Sequence, residues 1–303
     1  MIYNKLITKD FINTIVPQKF NETTIIKALE ECYKICAFST FPYILHNYNS
    51  LDSIKKTNSG NCIALSLFIK LFLEEKHTIY SYLIPATIPN KYKYAGYLDI
   101  SHVALAIPLN KNIIYIADPA FYFLNPIIIN IKTMSCTTVF SKSIYNQERN
   151  DSLKNYSTID TIKSSPKQTD KVIVFNEYQT INKGTYYVNS HFKNEVSDNW
   201  YYFLTELVNA DEAITTFFID IKYNPFITTT FIDKNGVCTA DYYIKLTPNY
   251  LELSKYSGER KKYNINEITP EQINDISHKM KGFFQDNLVE YINRVKLLNY
   301  NKR

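Results

Sequence analysis

Apolar residues recur at helical spacing over the first 80 positions of the chain. Asn21-Glu22-Thr23-Thr24 opens a segment in which Ile25, Ile26, Leu29, Cys32, Tyr33 and Cys36 share one face, and Phe41-Pro42-Tyr43 breaks it. A short helix is expected from Ser50 to Lys56 and a more apolar one from Cys62 to about Lys76. From Thr78 the period shortens to that of strands. Ile79–Ile84 ends at Pro85, and Ser101–Ile107 and Asn112–Asp118 form a hairpin over Pro108-Leu109-Asn110-Lys111. Ile127–Ile131 and Lys171–Phe175 extend the sheet or barrel, and the polar stretch 141–170 between them reads as a long surface loop, an insertion or a lid.

Beyond residue 200 the pattern is mixed. A short helix is expected over Trp200–Val208, followed by strands at Ile214–Ile221, Thr228–Asp233, Asp241–Leu246 and Tyr250–Ser254. Thr269-Pro270-Glu271-Gln272 combines a cap, a first-turn proline and a capping-box glutamine. The closing helix it starts carries Ile273, Ile276, Met280, Phe283, Phe284, Leu288, Tyr291, Ile292 and Val295 on one stripe, with Gly282 as a point where it can kink.

Composition narrows the class. The chain has 303 residues, 45% hydrophobic and 21% charged, which describes a folded protein with two or three substructures. The net charge of +5 is spread along the chain without a dense basic run, so a nucleic-acid partner is not expected. Five cysteines without repeated spacing are not a disulfide framework, and Cys32 and Cys36, one helical turn apart, read as two buried thiols rather than metal ligands. The N-terminus lacks the apolar core of a signal peptide, and Lys70, Glu74, Glu75 and Lys76 interrupt the most apolar helix. A cytoplasmic protein with no membrane partner and no metal is expected.

The chemistry concentrates around Cys62. It stands at a helix start, where unpaired N–H groups and the positive end of the dipole favour a thiolate. His102 opens one strand and Asp118 closes the next, so pairing of those strands brings base and carboxylate together. A cysteine nucleophile needs a base to share its proton and a third group to orient that base. Cys62, His102 and Asp118 fit these roles in order.

These residues resemble a family. Gly60-Asn61-Cys62 entering an apolar helix, Ser101-His102-Val103-Ala104-Leu105 on a strand and Asp118-Pro119-Ala120-Phe121 after the next are similar to the arylamine N-acetyltransferases, within the papain/transglutaminase-like superfamily. The resemblance implies an α+β fold with a cysteine-proteinase-like core: a helical domain over 1–80, a central antiparallel β-barrel over 81–198 with a polar insertion at about 141–170, and an α/β lid over 199–303. It also implies ping-pong transfer of an acyl group from acetyl-CoA, a co-substrate, through acyl-Cys62 to an amine, hydrazine or hydroxylamine acceptor. Phe121, Tyr122 and Phe123 would line the acceptor pocket, and Asn224–Gly236 would lie near the acyl-CoA cleft. Three departures are visible. Asn58-Ser59-Gly60-Asn61 replaces the usual Arg-Gly-Gly lead, Ala64 stands where a glutamate is usual, and Pro119–Phe123 replaces a glycine-rich run. The competing readings are a transglutaminase-like cysteine peptidase or amidase using the same triad, and a binding protein whose pocket has drifted.

Overall fold

The structure, a computed structural model, describes residues 15–87, 100–121, 124–130, 135–137, 173–175, 179–181, 184–186, 201–204, 226–232, 238–255, 259–280 and 288–300. The expected surface loop at 141–170, the strand at 214–221 and the helix positions Gly282, Phe283 and Phe284 lie outside them.

The first helix, α1 (Glu22–Ile35), buries Ile25, Leu29, Cys32 and Tyr33 of the expected stripe together with Ala28, while Ile26 is only half-buried and Cys36 is the C-cap residue. The chain then turns through β1 (Ala37–Ser39), α2 (Phe41–His46), α3 (Ser50–Thr57) and β2 (Ser59–Gly60) into α4 (Cys62–His77). Helix α4 is buried on every side of its first turn, at Cys62, Ile63, Ala64, Leu65 and Ser66, and on one face beyond, at Ile69 and Leu73. Its first turn therefore sits inside the protein rather than on it. Cys32 and Cys36 are both buried free thiols.

The central sheet contains β3 (Tyr82–Thr87), β4 (Ile100–Pro108), β5 (Ile113–Ala117), β6 (Ile127–Asn130), β7 (Ser135–Thr137), β8 (Ile173–Phe175) and β11 (Tyr201–Phe203), in the order β7-β6-β5-β4-β3-β11-β8. The expected barrel is not closed among the described residues. The terminal strands β7 and β8 each have three residues and, among the described residues, pair on one side only. Strands β9 (Gln179–Ile181) and β10 (Gly184–Tyr186) form a separate hairpin.

Two local expectations change. Pro85 does not end its strand; it pairs with Val103 inside β3. A proline is tolerated there because the short β11 pairs with β3 in register only at Tyr202↔Ala86, so Pro85 has no ladder partner on that side. Residues 201–203 are a strand rather than part of a helix, because consecutive aromatic residues suit a pleated surface with Tyr202 turned fully inward.

A second sheet joins the two ends of the chain. Strands β12 (Phe226–Ile232), β13 (Cys238–Leu246), β14 (Tyr250–Lys255) and β15 (Arg260–Asn264) are antiparallel, and β12 continues onto β1 and β2. Phe38 pairs with Thr228 on one side and with Gly60 on the other, so the segment leading into Cys62 is an edge of the C-terminal sheet. The strip Ile227, Ile244, Leu246, Leu251 and Leu253 packs under Ile276 of α5 (Pro270–Lys279) and under Leu288, Tyr291 and Ile292 of α6 (Leu288–Tyr300). The single closing helix expected from the sequence is thus two helices. The Thr269–Gln272 capping box starts the first of them. No described helix is long and apolar enough to cross a membrane.

Gly60 is the tightest point of the lead-in. A Cβ there would overlap Ala64 Cβ and lie 2.8 Å from the Tyr43 hydroxyl and 2.9 Å from Ser53 Oγ. Gly60→Ala is therefore expected to destabilise the fold by roughly 1–3 kcal/mol, measured as a lowered urea midpoint, because the backbone before Cys62 must move aside.

Candidate active site

Asn61 sets the start of α4. It has extended backbone angles, and its side-chain oxygen accepts from the N–H groups of Ile63 and Ala64 at 3.0 and 3.2 Å. Its carbonyl takes the N–H of Leu65 at 3.0 Å. Cys62 is the first residue of the helix, and its own N–H is not among those that the cap satisfies. The lead-in is held from below. Asn58 ends α3 in the left-handed region (φ 47) and accepts from Ala37 N at 3.0 Å, while Ser53 Oγ donates to Ser59 O.

His102 and Asp118 arrive from the sheet. Pairing of Leu105 with Ala117 aligns β4 and β5 so that the two side chains meet beyond the ladder. His102 Nε2 lies 2.7 Å from Asp118 Oδ2. The residues are 2% and 1% exposed, so the pair is screened by almost no water. Cys62 is close enough to His102 to help raise its pKa, and with Nε2 facing Asp118 the Nδ1 atom is the one left for the thiol. Ser66 Oγ donates to Val103 O at 3.5 Å, one turn after Cys62 and one residue after His102, and so ties helix to strand. The three residues the sequence singles out are brought together.

Burial opposes a charged imidazole at this depth. The Asp118 charge, its hydrogen bond and the contact with Cys62 outweigh burial and raise His102 from 6.5 to about 10. The ring therefore holds its proton at neutral pH. Such an imidazolium beside a sulfur can accompany a thiolate and later donate to a leaving group.

Tyr202 is the site residue that sequence reasoning misses. Its hydroxyl donates to Asp118 Oδ2 at 2.7 Å, the same oxygen that faces His102, and the residue is fully buried. The interaction spans 84 positions and depends on β11 lying beside β3. The inward alternation of the aromatic run Trp200–Phe203 is the one signal that could have found it. Oδ1 of Asp118 has no partner among the described residues. Tyr202 acts through Asp118, so Tyr202→Phe is expected to lower kcat about tenfold with KM unchanged, since a lost bond to a charged acceptor acts on chemistry rather than on binding.

The expected acceptor wall is only partly visible. Phe121 belongs to a 3₁₀ turn (Pro119–Phe121) that follows Asp118 directly, but its side chain lies outside the described residues, as do Tyr122 and Phe123. From the expected acyl-CoA segment, Thr228 and Thr229 are buried in β12, and residues 224–225 and 233–236 lie outside the described set. Among the described residues no group of three His, Cys, Asp or Glu side chains is arranged to hold a metal ion.

No protein-family model matches the chain, and no curated protein matches it in sequence. Solved structures do match. Their names share one activity. The structural neighbours are arylamine N-acetyltransferases. One, arylamine N-acetyltransferase C from Bacillus anthracis, is 14% identical, with 91% of this chain and 97% of that one covered at a TM-score of 0.49. Another, from Bacillus cereus and described by its Cys-His-Glu catalytic triad, is 14% identical, with 91% and 97% covered at 0.47. A third, from Mycobacterium marinum in complex with CoA, is 11% identical, with 95% of each chain covered at 0.46.

Proposed function

We propose that this chain is an acyltransferase that carries an acetyl or other acyl group from acyl-CoA to an amine, hydrazine or hydroxylamine through an acyl-Cys62 intermediate. The observation that carries this reading is the buried Cys62–His102–Asp118 constellation, with Nε2 of His102 2.7 Å from Asp118 and its other face on Cys62. The triad neighbourhoods, which resemble those of the arylamine N-acetyltransferases, supply the substrate class.

The sulfur of Cys62, its proton held by His102, attacks the thioester carbonyl, and negative charge moves onto the carbonyl oxygen. The Cys62 N–H, left uncapped at the helix start, donates to that oxygen; one such donor is typically worth ~3–4 kcal/mol of barrier. Collapse breaks the carbon–sulfur bond to CoA, and His102 gives its proton to the departing sulfur. Neutral His102 then takes a proton from the incoming nitrogen as it attacks acyl-Cys62, and the Cys62 sulfur leaves. Asp118 holds the ring in place and supports its positive charge, with Tyr202 fixing the carboxylate.

The site is nearly dry, which favours transfer to a bound amine over loss of the acyl group to water. Steady-state assays with acetyl-CoA and a panel of aromatic amines and hydrazines test this. Acceptor-dependent release of CoA with parallel double-reciprocal lines is the expected result. Inertness toward every thioester, together with labelling of Cys62 by a peptide electrophile, would instead support a cysteine peptidase or amidase.

A further inference from the structure

Asn61 does more than its cap requires. Its side chain is completely buried, and its Oδ1 is the meeting point of several donors. Besides the N–H groups of Ile63 and Ala64, the Tyr43 hydroxyl donates to Oδ1 at 2.8 Å and the Ser50 hydroxyl lies 3.3 Å away. Tyr43 OH also accepts from the Asn61 backbone N–H at 3.1 Å, which clamps the residue at both ends. This pattern fixes the direction of the carboxamide. Turning it over would set its NH₂ group against two backbone N–H donors and break the cap.

The consequence is that Nδ2 carries two N–H donors with no hydrogen-bond partner among the described residues. An unmet buried donor costs about 1–3 kcal/mol, so a fold seldom keeps one without a use. This one belongs to the residue immediately before the nucleophile. It stands on the other arm of a carboxamide whose oxygen sits over the helix end that carries Cys62.

We propose that Asn61 is a catalytic residue of this site, with Nδ2 as a second donor, beside the Cys62 N–H, to the oxygen anion that forms when Cys62 attacks an acyl group. Tyr43 and Ser50 are then positioning residues that hold the amide with its nitrogen free. The inference rests on the acyl-transfer reading for its chemistry but not on CoA as the donor. Any acyl carbonyl attacked at Cys62 develops the same charge, and a preorganised amide stabilises it without reorganising.

Two reactions of Cys62 separate this role from a structural one. Alkylation by iodoacetamide needs the nucleophilic sulfur but forms no oxyanion; acylation by p-nitrophenyl acetate needs both. Asn61→Asp keeps an acceptor for the cap, Tyr43 and Ser50 and removes the NH₂ group; Asn61→Ser keeps the cap and adds no charge. Each variant is expected to slow the nitrophenolate burst about a hundredfold, with alkylation at its own pH plateau within about twofold of the wild type. Equal slowing of both reactions would make Asn61 merely structural, and unchanged acylation would remove it from the chemistry; either overturns the proposal. A wild-type chain that alkylates but gives no burst overturns it as well. A wild-type burst with p-nitrophenyl acetate but none with acetyl-CoA would remove CoA from the proposed function and leave the role of Asn61 standing.

Discussion

Cys62→Ala is expected to abolish acyl transfer, lowering it by at least about four orders of magnitude, while the chain stays folded. The two halves of this expectation have separate causes. Among the described cysteine side chains Cys62 is the one beside His102, and Cys32 and Cys36 lie in the helical core, where neither can take its place. Folding survives because the start of α4 is set by Asn61, whose cap bonds run to Ile63 and Ala64 and not to the thiol. Loss of CoA release from acetyl-CoA, with an unchanged thermal midpoint, is the measurement. Residual transfer above background would place the nucleophile elsewhere.

The second large effect is at the carboxylate. Asp118→Asn keeps the volume and can still meet the Tyr202 hydroxyl, but it removes the charge that holds the proton on His102. Acyl transfer is expected to fall about a thousandfold, since a neutral partner no longer fixes the ring or supports the imidazolium. The pH dependence gives the sign. His102 is raised from 6.5 to about 10 against the opposition of burial, with Asp118 the largest raising influence. Its contribution to stability is fully present below pH 6.5 and is lost as pH rises through 10, because over that window the folded chain binds a proton that the unfolded chain releases. The wild type should lose stability across that window and Asp118→Asn much less, measured by denaturant midpoints at intervals of pH. Parallel curves for the two chains would contradict the pairing.

How far the sequence carries the reader differs by element. The helices of the first 80 residues are legible for two reasons: most of the buried face of α1 follows from helical spacing, and the start of α4 is an unbroken apolar run. Cys62, His102 and Asp118 are legible as a candidate set because each sits at or near the end of an element whose period is strong, and a hairpin joins the last two. Tyr202 is not, since a contact across 84 positions exists only once β11 has found β3. Nor is the sheet that binds the Gly60 lead to β1 and β12, because a two-residue strand has no period to read. The barrel expectation is not met among the described residues, and for a related reason: strand count and alternation are local, whereas closure depends on whether the end strands meet, and the described β7 and β8 do not pair. The unpaired amide nitrogen of Asn61 is likewise a product of the fold, visible only once Tyr43 and Ser50 crowd the oxygen.

The central claim is that the acyl group rests on Cys62. Intact-mass analysis and peptide mapping of the 303-residue chain after brief exposure to acetyl-CoA test it directly. The account predicts a gain of one acetyl group, mapped to Cys62 and discharged on adding an aromatic amine. An unmodified chain, or an acetyl group mapped to any other residue, would contradict it.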